Sequence, residues 1–174
     1  PQDIVSAATS YNQNEIYLGE AVVVDNGNIM SITNDAPQFF TVGNTTVTWT
    51  ATDSAGNVAS KKQLVSVIDT SVPIITPPEN LIIEATSLNE NVIDLGTPIV
   101  SDIQNVTITN NAPQVFPYGE TNVTWLAIDP AGNSATVNQA VTVIDTTQPT
   151  LVIPDDIVFE ATSLDNNIIS IGNA

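Results

Sequence analysis

Cysteine and histidine are both absent from the 174 residues, and Lys61 and Lys62 are the only bases. Without cysteine there is no disulfide framework. Without cysteine or histidine, no thiol nucleophile, no Ser–His pair and no imidazole-ligated zinc can form, so the usual hydrolase constellations are missing. Nineteen acids against two bases give a net charge of −17. Nucleic acid and anionic membrane are thereby excluded as partners, because both require Lys and Arg to meet phosphate. Aromatics make up only 5% of the chain, too few to line the sugar cleft that a glycosidase-like carboxylate pair needs. No apolar run is long enough to span a bilayer, and no charged-then-apolar leader is present. These absences point away from an enzyme.

What the chain has is repetition. PQDIVSAATS at residues 1–10 returns as PENLIIEATS at 78–87 and as PDDIVFEATS at 154–163. The spacing suits one small β-domain per copy. The agreement runs through the unit. NDAP at 34–37 matches NNAP at 110–113, FTVG at 40–43 matches FPYG at 116–119, and VTW at 47–49 matches VTW at 123–125. DSAGN at 53–57 matches DPAGN at 129–133, and VIDT at 67–70 matches VIDT at 143–146. The expected organisation is a first repeat over 1–73 lacking its opening strand, a second over 74–150, and the start of a third over 151–174. Two readings of that last stretch stay open. It belongs to a longer natural chain, or it is an apolar ribbon donated to another subunit as an added strand.

The local pattern is β throughout. Val47, Trp49 and Ala51 alternate with threonines, as Val123, Trp125 and Ala127 alternate with Thr124 and Leu126, a period of two that marks strands with one buried face. In the second repeat the pattern predicts strands at 74–76, 81–85, 92–95, 98–101, 106–109, 114–116, 122–128 and 134–144. Short antiparallel strands in that number suggest a two-sheet sandwich, with one Trp per repeat in its core. Phe39, Phe40, Phe116 and Phe159 fall at apolar strand positions and are expected inside. Tyr11, Tyr17 and Tyr118 have no aromatic counterparts in the other copies, so a periodic binding surface is not expected. No segment has the length and period of a helix.

The motif series P-x-x-[IL]-x-x-E-A-T-S, L-G-x-P, N-x-A-P-x-x-F-P-x-G-x-T-x-V-T-W-x-A-x-D-x-A-G-N and V-x-V-I-D-T-x-x-P resembles the hyalin repeat (HYR) domain over essentially the whole chain. The resemblance implies all-β, tandem immunoglobulin-like β-sandwiches arranged end to end in an extracellular or cell-surface protein. Lacking the paired cysteines of many animal members, the chain is more similar to cysteine-free prokaryotic surface repeats. The first copy departs from the pattern at Ala7, where the others carry Glu84 and Glu160.

An immunoglobulin-like topology brings the loop after the second strand and the loop between the last two strands to the end where the chain enters. Asp102, Asp129 and Asn133 would then meet the linker residue Asp69. Carboxylates so close repel one another. Calcium, a hard ion taking six to eight oxygens from irregular loops, removes that cost. Similar Asp-rich junctions between tandem surface repeats bind calcium, and the resemblance implies Asp69, Asp102 and Asp129 as ligands here, with Asn133 or nearby carbonyls assisting. The following junction would use Asp145 with Glu84 as a helper, and the opening one Asp25, Asp53 and Asn57. No EF-hand spacing is present, and the competing reading makes Asp53 and Asp129 simple turn formers.

Asn44, Asn105 and Asn122 head glycosylation triplets. Two function classes follow. The first is a structural segment of a stalk, surface layer or filament, stiffened by calcium and touching neighbouring repeats or identical chains. The second is an adhesin module that binds a carbohydrate or protein through its loops. Near-identical chemistry in both copies favours the first.

Overall fold

The computed structural model describes residues 1–169. It forms two compact units, Pro1–Ile144 and Asp145–Ala174. Among the described residues there is no helix, and therefore none long and apolar enough to cross a membrane.

The first unit is all β. In its first repeat, β1 (Ile4–Ala7), β2 (Ile29–Asn34), β3 (Gly43–Asp53) and β4 (Val58–Ile68) make one sheet in the order β1-β4-β3-β2. The second repeat has β5 (Ile74–Thr76), β6 (Leu81–Glu84), β7 (Ile99–Ser101), β8 (Thr107–Asn110), β9 (Gly119–Ile128) and β10 (Ser134–Ile144). There the sheet β6-β10-β9-β8 faces a two-stranded sheet β5-β7. The first strand of each four-stranded sheet runs parallel to the last, Ile4 opposite Val65 and Leu81 opposite Val141. The other pairs are antiparallel.

Period-two patterning puts one face of each strand inside. Val47, Val65 and Val67 are buried in the first repeat with Phe40. In the second, Val123, Trp125, Ala127, Val141 and Val143 are buried with Phe116 and Ile75. Burial of each such side chain contributes about 1.5–3 kcal/mol.

Two expected strands, 92–95 and 114–116, are not strands. A single bridge joins Asn91 to Phe116, while Ile93 and Leu95 still pack against the core. Beyond that bridge the Asn91 side chain turns back to Thr86 and Ser87 and adds a second bond to the Phe116 carbonyl, and no described backbone pairing of 92–95 with 114–116 follows. Trp125 is buried as expected, but Trp49 is only half-buried. Phe40 and Phe116 are core residues, whereas Phe39 and Phe159 are exposed. Phe39 is the outward neighbour of Phe40, and Phe159 lies in the second unit, where no described residue is in a strand.

The second unit contains a turn over 161–167, in which the Asn167 side chain accepts from the Thr162 and Ser163 amides at 2.9 and 3.2 Å and donates to the Ser163 carbonyl at 2.9 Å. Of the segment 151–174, residues 170–174 lie outside the described residues.

Candidate metal centre

Three strands each deliver the residue just past their C-terminal end to one place. Asp69 follows β4, Asp102 follows β7 and Asp129 follows β9. One carboxylate oxygen from each lies within 4.8 Å of the others. Asp69 is 7% exposed, Asp129 4% exposed and Asp102 half-buried. Aspartates are rarely so buried without a partner of opposite charge. The second repeat has no Lys or Arg, and the two bases of the first are both exposed on β4.

Local hydrogen bonds hold the acids in position. Asp69 accepts from the Ser71 amide at 2.9 Å and from Gln104 Nε2 at 2.8 Å. The Asp129 carboxylate accepts the backbone and side-chain N–H of Asn133, both at 2.8 Å. Gly132, at φ 92°, closes the turn by donating to the Asp129 carbonyl at 3.2 Å, a conformation glycine adopts without a Cβ penalty. Burial works to raise the Asp129 carboxyl, but the donors from Asn133, Gly132 and Ala131 outweigh it and hold the group below its ordinary value.

Asn133 acts here as a donor, with its Nδ2 also reaching the Asp69 carbonyl at 3.2 Å. That bond holds the Asp69 carbonyl beside the Asp129 turn. Carboxylates and carbonyls are hard oxygen donors of the kind calcium takes, and they stand in irregular loops that can adjust to it. The residues therefore fit a calcium ion. Each Asp69 oxygen accepts one hydrogen bond and keeps a lone pair, whereas Asp129 accepts from Asn133, Gly132 and Ala131 and is the more fully used of the two.

The remaining sequence candidates are not drawn into such a group. Asp25 is exposed and accepts from the Gly27 amide at 3.0 Å. It shares a hollow of about 140 Å3 with Asp53 and Asn57, but no third acid joins them in a cluster among the described residues. Glu84 ends β6 and is exposed, and Asp145 follows β10 and accepts from the Thr147 amide at 3.0 Å. Asn44, Asn105 and Asn122 are all exposed.

The Asp53 turn repeats the Asp129 turn. Asn57 donates its side chain at 2.7 Å and its amide at 2.8 Å, the amide of Ala55 adds a third bond, and together they hold the Asp53 carboxyl below its ordinary value of 3.8. A depressed folded value contributes stability that is present above the unfolded pKa and lost as pH falls through the folded one. On acidification below 3.8, Asp53→Asn is expected to lose less stability than the wild type in urea melts. Equal losses would show that the turn does not titrate with folding.

Sequence reasoning missed Ile103 and Gln104. Ile103, in the loop after β7, packs against the core of the first repeat. Gln104 ties that loop to Asp69. An isolated apolar residue directly after Asp102 was the available signal. Tyr11 of the first repeat lines a hollow of about 340 Å3 together with Asp102, Gln104 and Pro130, so the two repeats meet through apolar as well as acidic groups.

The model of the HYR domain matches residues 6–67 and again 68–143. The chain belongs to the HYR domain family. Among its relatives, hyalin of Strongylocentrotus purpuratus is 33% identical over 174 residues, covering 88% of this chain and 14% of hyalin. Hyalin of Lytechinus variegatus is 33% identical over 156 residues, covering 82% of the chain and 29% of that protein. The chain thus spans less than a third of the length of either. Human protocadherin-24 EC1-2 shares 12% identity with a TM-score of 0.38, covering 84% of this chain and 95% of that one, a likeness too slight to carry argument. HYR membership makes the chain an extracellular module of tandem repeats, a kind of domain that is not an enzyme.

Proposed function

We propose that this HYR tandem is a structural segment of an extracellular stalk, surface layer or filament, in which calcium held by Asp69, Asp102 and Asp129 stiffens the junction between the first two repeats. The observation that carries the reading is the convergence of the three carboxylates, two of them buried, where the linker meets the loops of the second repeat. Asp69 directly follows the first repeat's last strand, and the other two acids belong to the second repeat. An ion bound to all three couples the repeats directly. Ile103 against the first core and Gln104 on Asp69 leave that coupling little slack. A strand of 10–11 residues such as β9 or β10 gives each repeat a length of about 33–36 Å, so stiff junctions convert a string of repeats into a strut.

The ion's chemistry is simple. When bound, it neutralises carboxylates that otherwise repel. The residues do the rest: Asn133 orients Asp129, and Ser71 and Gln104 orient Asp69. At free calcium about 100 times Kd, selective binding to the folded state adds about 2.7 kcal/mol. For a chain of this size that raises Tm by roughly 5–10 °C. Scattering in chelator is expected to show a broader length distribution, and Asp102→Asn, which changes a half-buried carboxylate at constant size, is expected to abolish both responses. If neither Tm nor length responds to chelator, the calcium strut is wrong.

A further inference from the structure

The hollow of about 340 Å3 beside the acid cluster is lined by Tyr11 from the first repeat and by Asp102, Ile103, Gln104, Asn105 and Pro130 from the second. Its volume lies at the small end of the ~300–1,000 Å3 range of small-molecule sites. Its walls are of two kinds. Ile103, anchored against the core of the first repeat, supplies apolar surface with Tyr11 and Pro130. Asp102, Gln104 and Asn105 supply polar groups with bonding capacity to spare. Among the described residues, Asp102 accepts a single 3.4 Å bond from the Gln104 amide, and Gln104 donates its side chain to Asp69 and keeps its Oε1. The side chains of Tyr11 and Asn105 make no hydrogen bond among the described residues. Tyr11 is particular to this junction. Leu88 stands at its position in the second repeat, in the same loop conformation: the Tyr11 carbonyl accepts from the Val42 amide at 2.9 Å, as the Leu88 carbonyl does from Tyr118 at 3.0 Å. The fold therefore does not require the ring, and at 56% exposed it is not held for packing either.

We propose that this hollow binds a neutral saccharide, a mono- or disaccharide unit, with Tyr11 against the apolar face of a sugar ring and Asp102 and Asn105 bonded to its hydroxyls. The lining selects that class by elimination. No base lines the hollow and the chain carries a net charge of −17, so phosphates, sulfates and acidic sugars are repelled. A purely apolar ligand would strip water from Asp102 without replacing it. An ammonium or guanidinium group has donors only, which suits Asp102 but not the amide N–H groups of Asn105. A sugar hydroxyl both donates and accepts, so one polyol meets the acceptor-only carboxylate and the amide together. Its C–H face meets an aromatic ring that is apolar in body and polar at its tip. The site draws on both repeats and is unique to this junction, which agrees with an aromatic that the other copy does not echo.

This inference goes beyond the calcium reading and does not need it, because none of the contacts passes through the ion. The test is an NMR titration of the isotope-labelled 174-residue chain, made in a host that does not glycosylate Asn105, with the methyl glycosides of glucose, galactose, mannose and N-acetylglucosamine. At least one is expected to give saturable amide shifts at Tyr11, Gln104 and Asn105, in calcium and in chelator alike. The expected Kd is about 1 mM, ordinary for a ligand of roughly a dozen heavy atoms. The methyl glycoside of sialic acid and methylguanidinium are expected to bind about tenfold more weakly or worse. Tyr11→Leu installs the residue that the second repeat already carries there. It is expected to weaken glycoside binding about tenfold while leaving Tm, and the response of Tm to chelator, unchanged. No saturable shift with any of these glycosides, equal binding of the sialoside or of methylguanidinium, or undiminished binding by Tyr11→Leu would each overturn the proposal. Glycoside binding that persists in a chain whose Tm ignores chelator would refute the calcium strut and uphold this site.

Discussion

Replacing Gln139 with Leu is expected to destabilise the second repeat by about 3 kcal/mol or more and to lower Tm by roughly 10 °C. Gln139 is fully buried on the inward face of β10. Its Oε1 accepts from Trp125 Nε1 at 3.1 Å, and its Nε2 donates to the carbonyls of Glu79 and Leu95 at 2.8 and 3.1 Å. Leucine keeps the volume but leaves an indole N–H and two carbonyls without this partner, each at a cost of about 1–3 kcal/mol when buried. Gln63 does the same in the first repeat, joining Trp49 to the carbonyls of Gln2 and Leu18. There the Trp is half-buried and water can replace the lost bond, so Gln63→Leu is expected to cost about half as much. Urea melts of the two variants decide the matter. Equal losses would mean that the amide's partners are not sealed from water in the second repeat.

These glutamines show where a sequence is hard to read. The strand pattern marks Val65 and Val67, or Val141 and Val143, as inward, and by the same phase it places Gln63 and Gln139 inward as well. A polar residue at that phase looks like a break in the pattern. Its recurrence in both copies at the same phase was the clue, because a residue kept inside at a desolvation cost needs partners, and the Trp on the neighbouring strand supplies one. The long strands β3, β4, β9 and β10 were legible because one buried face imposes a strict period of two. The stretches near 92–95 and 114–116 misled because their inward residues are apolar without a ladder beside them. At the candidate metal centre, topology alone was enough to bring Asp69, Asp102 and Asp129 together. The positions of Ile103 and Gln104 depend on the packing of one repeat on the next, which no single repeat encodes.

Asn91→Asp is expected to cost about as much as the loss of Gln139, and its comparison with Asn167→Asp separates a local turn from a staple between distant strands. Asn91, 2% exposed, accepts at Oδ1 from the amides of Thr86 and Ser87 at 2.8 and 3.1 Å, and donates at Nδ2 to the carbonyls of Ser87 at 2.8 Å and Phe116 at 2.9 Å. Asn14 makes the same set with Thr9, Ser10 and Phe40. A carboxylate of equal size keeps the accepted bonds but turns a donor into an acceptor facing two carbonyl oxygens. Charge, desolvation and repulsion then act together, for an expected loss of about 3 kcal/mol or more. Asn167 makes the same turn bonds within 162–167, in full exposure. The turn therefore forms from the Ala-Thr-Ser segment and its asparagine alone, and Asn167→Asp is expected to shift the main unfolding transition by under about 0.5 kcal/mol, as surface changes do. If Asn91→Asp were equally mild, the bond to Phe116 would contribute nothing and the staple would be only a turn. If it is severe, the bridge between Asn91 and Phe116 does the work that the missing strands at 92–95 and 114–116 were expected to do.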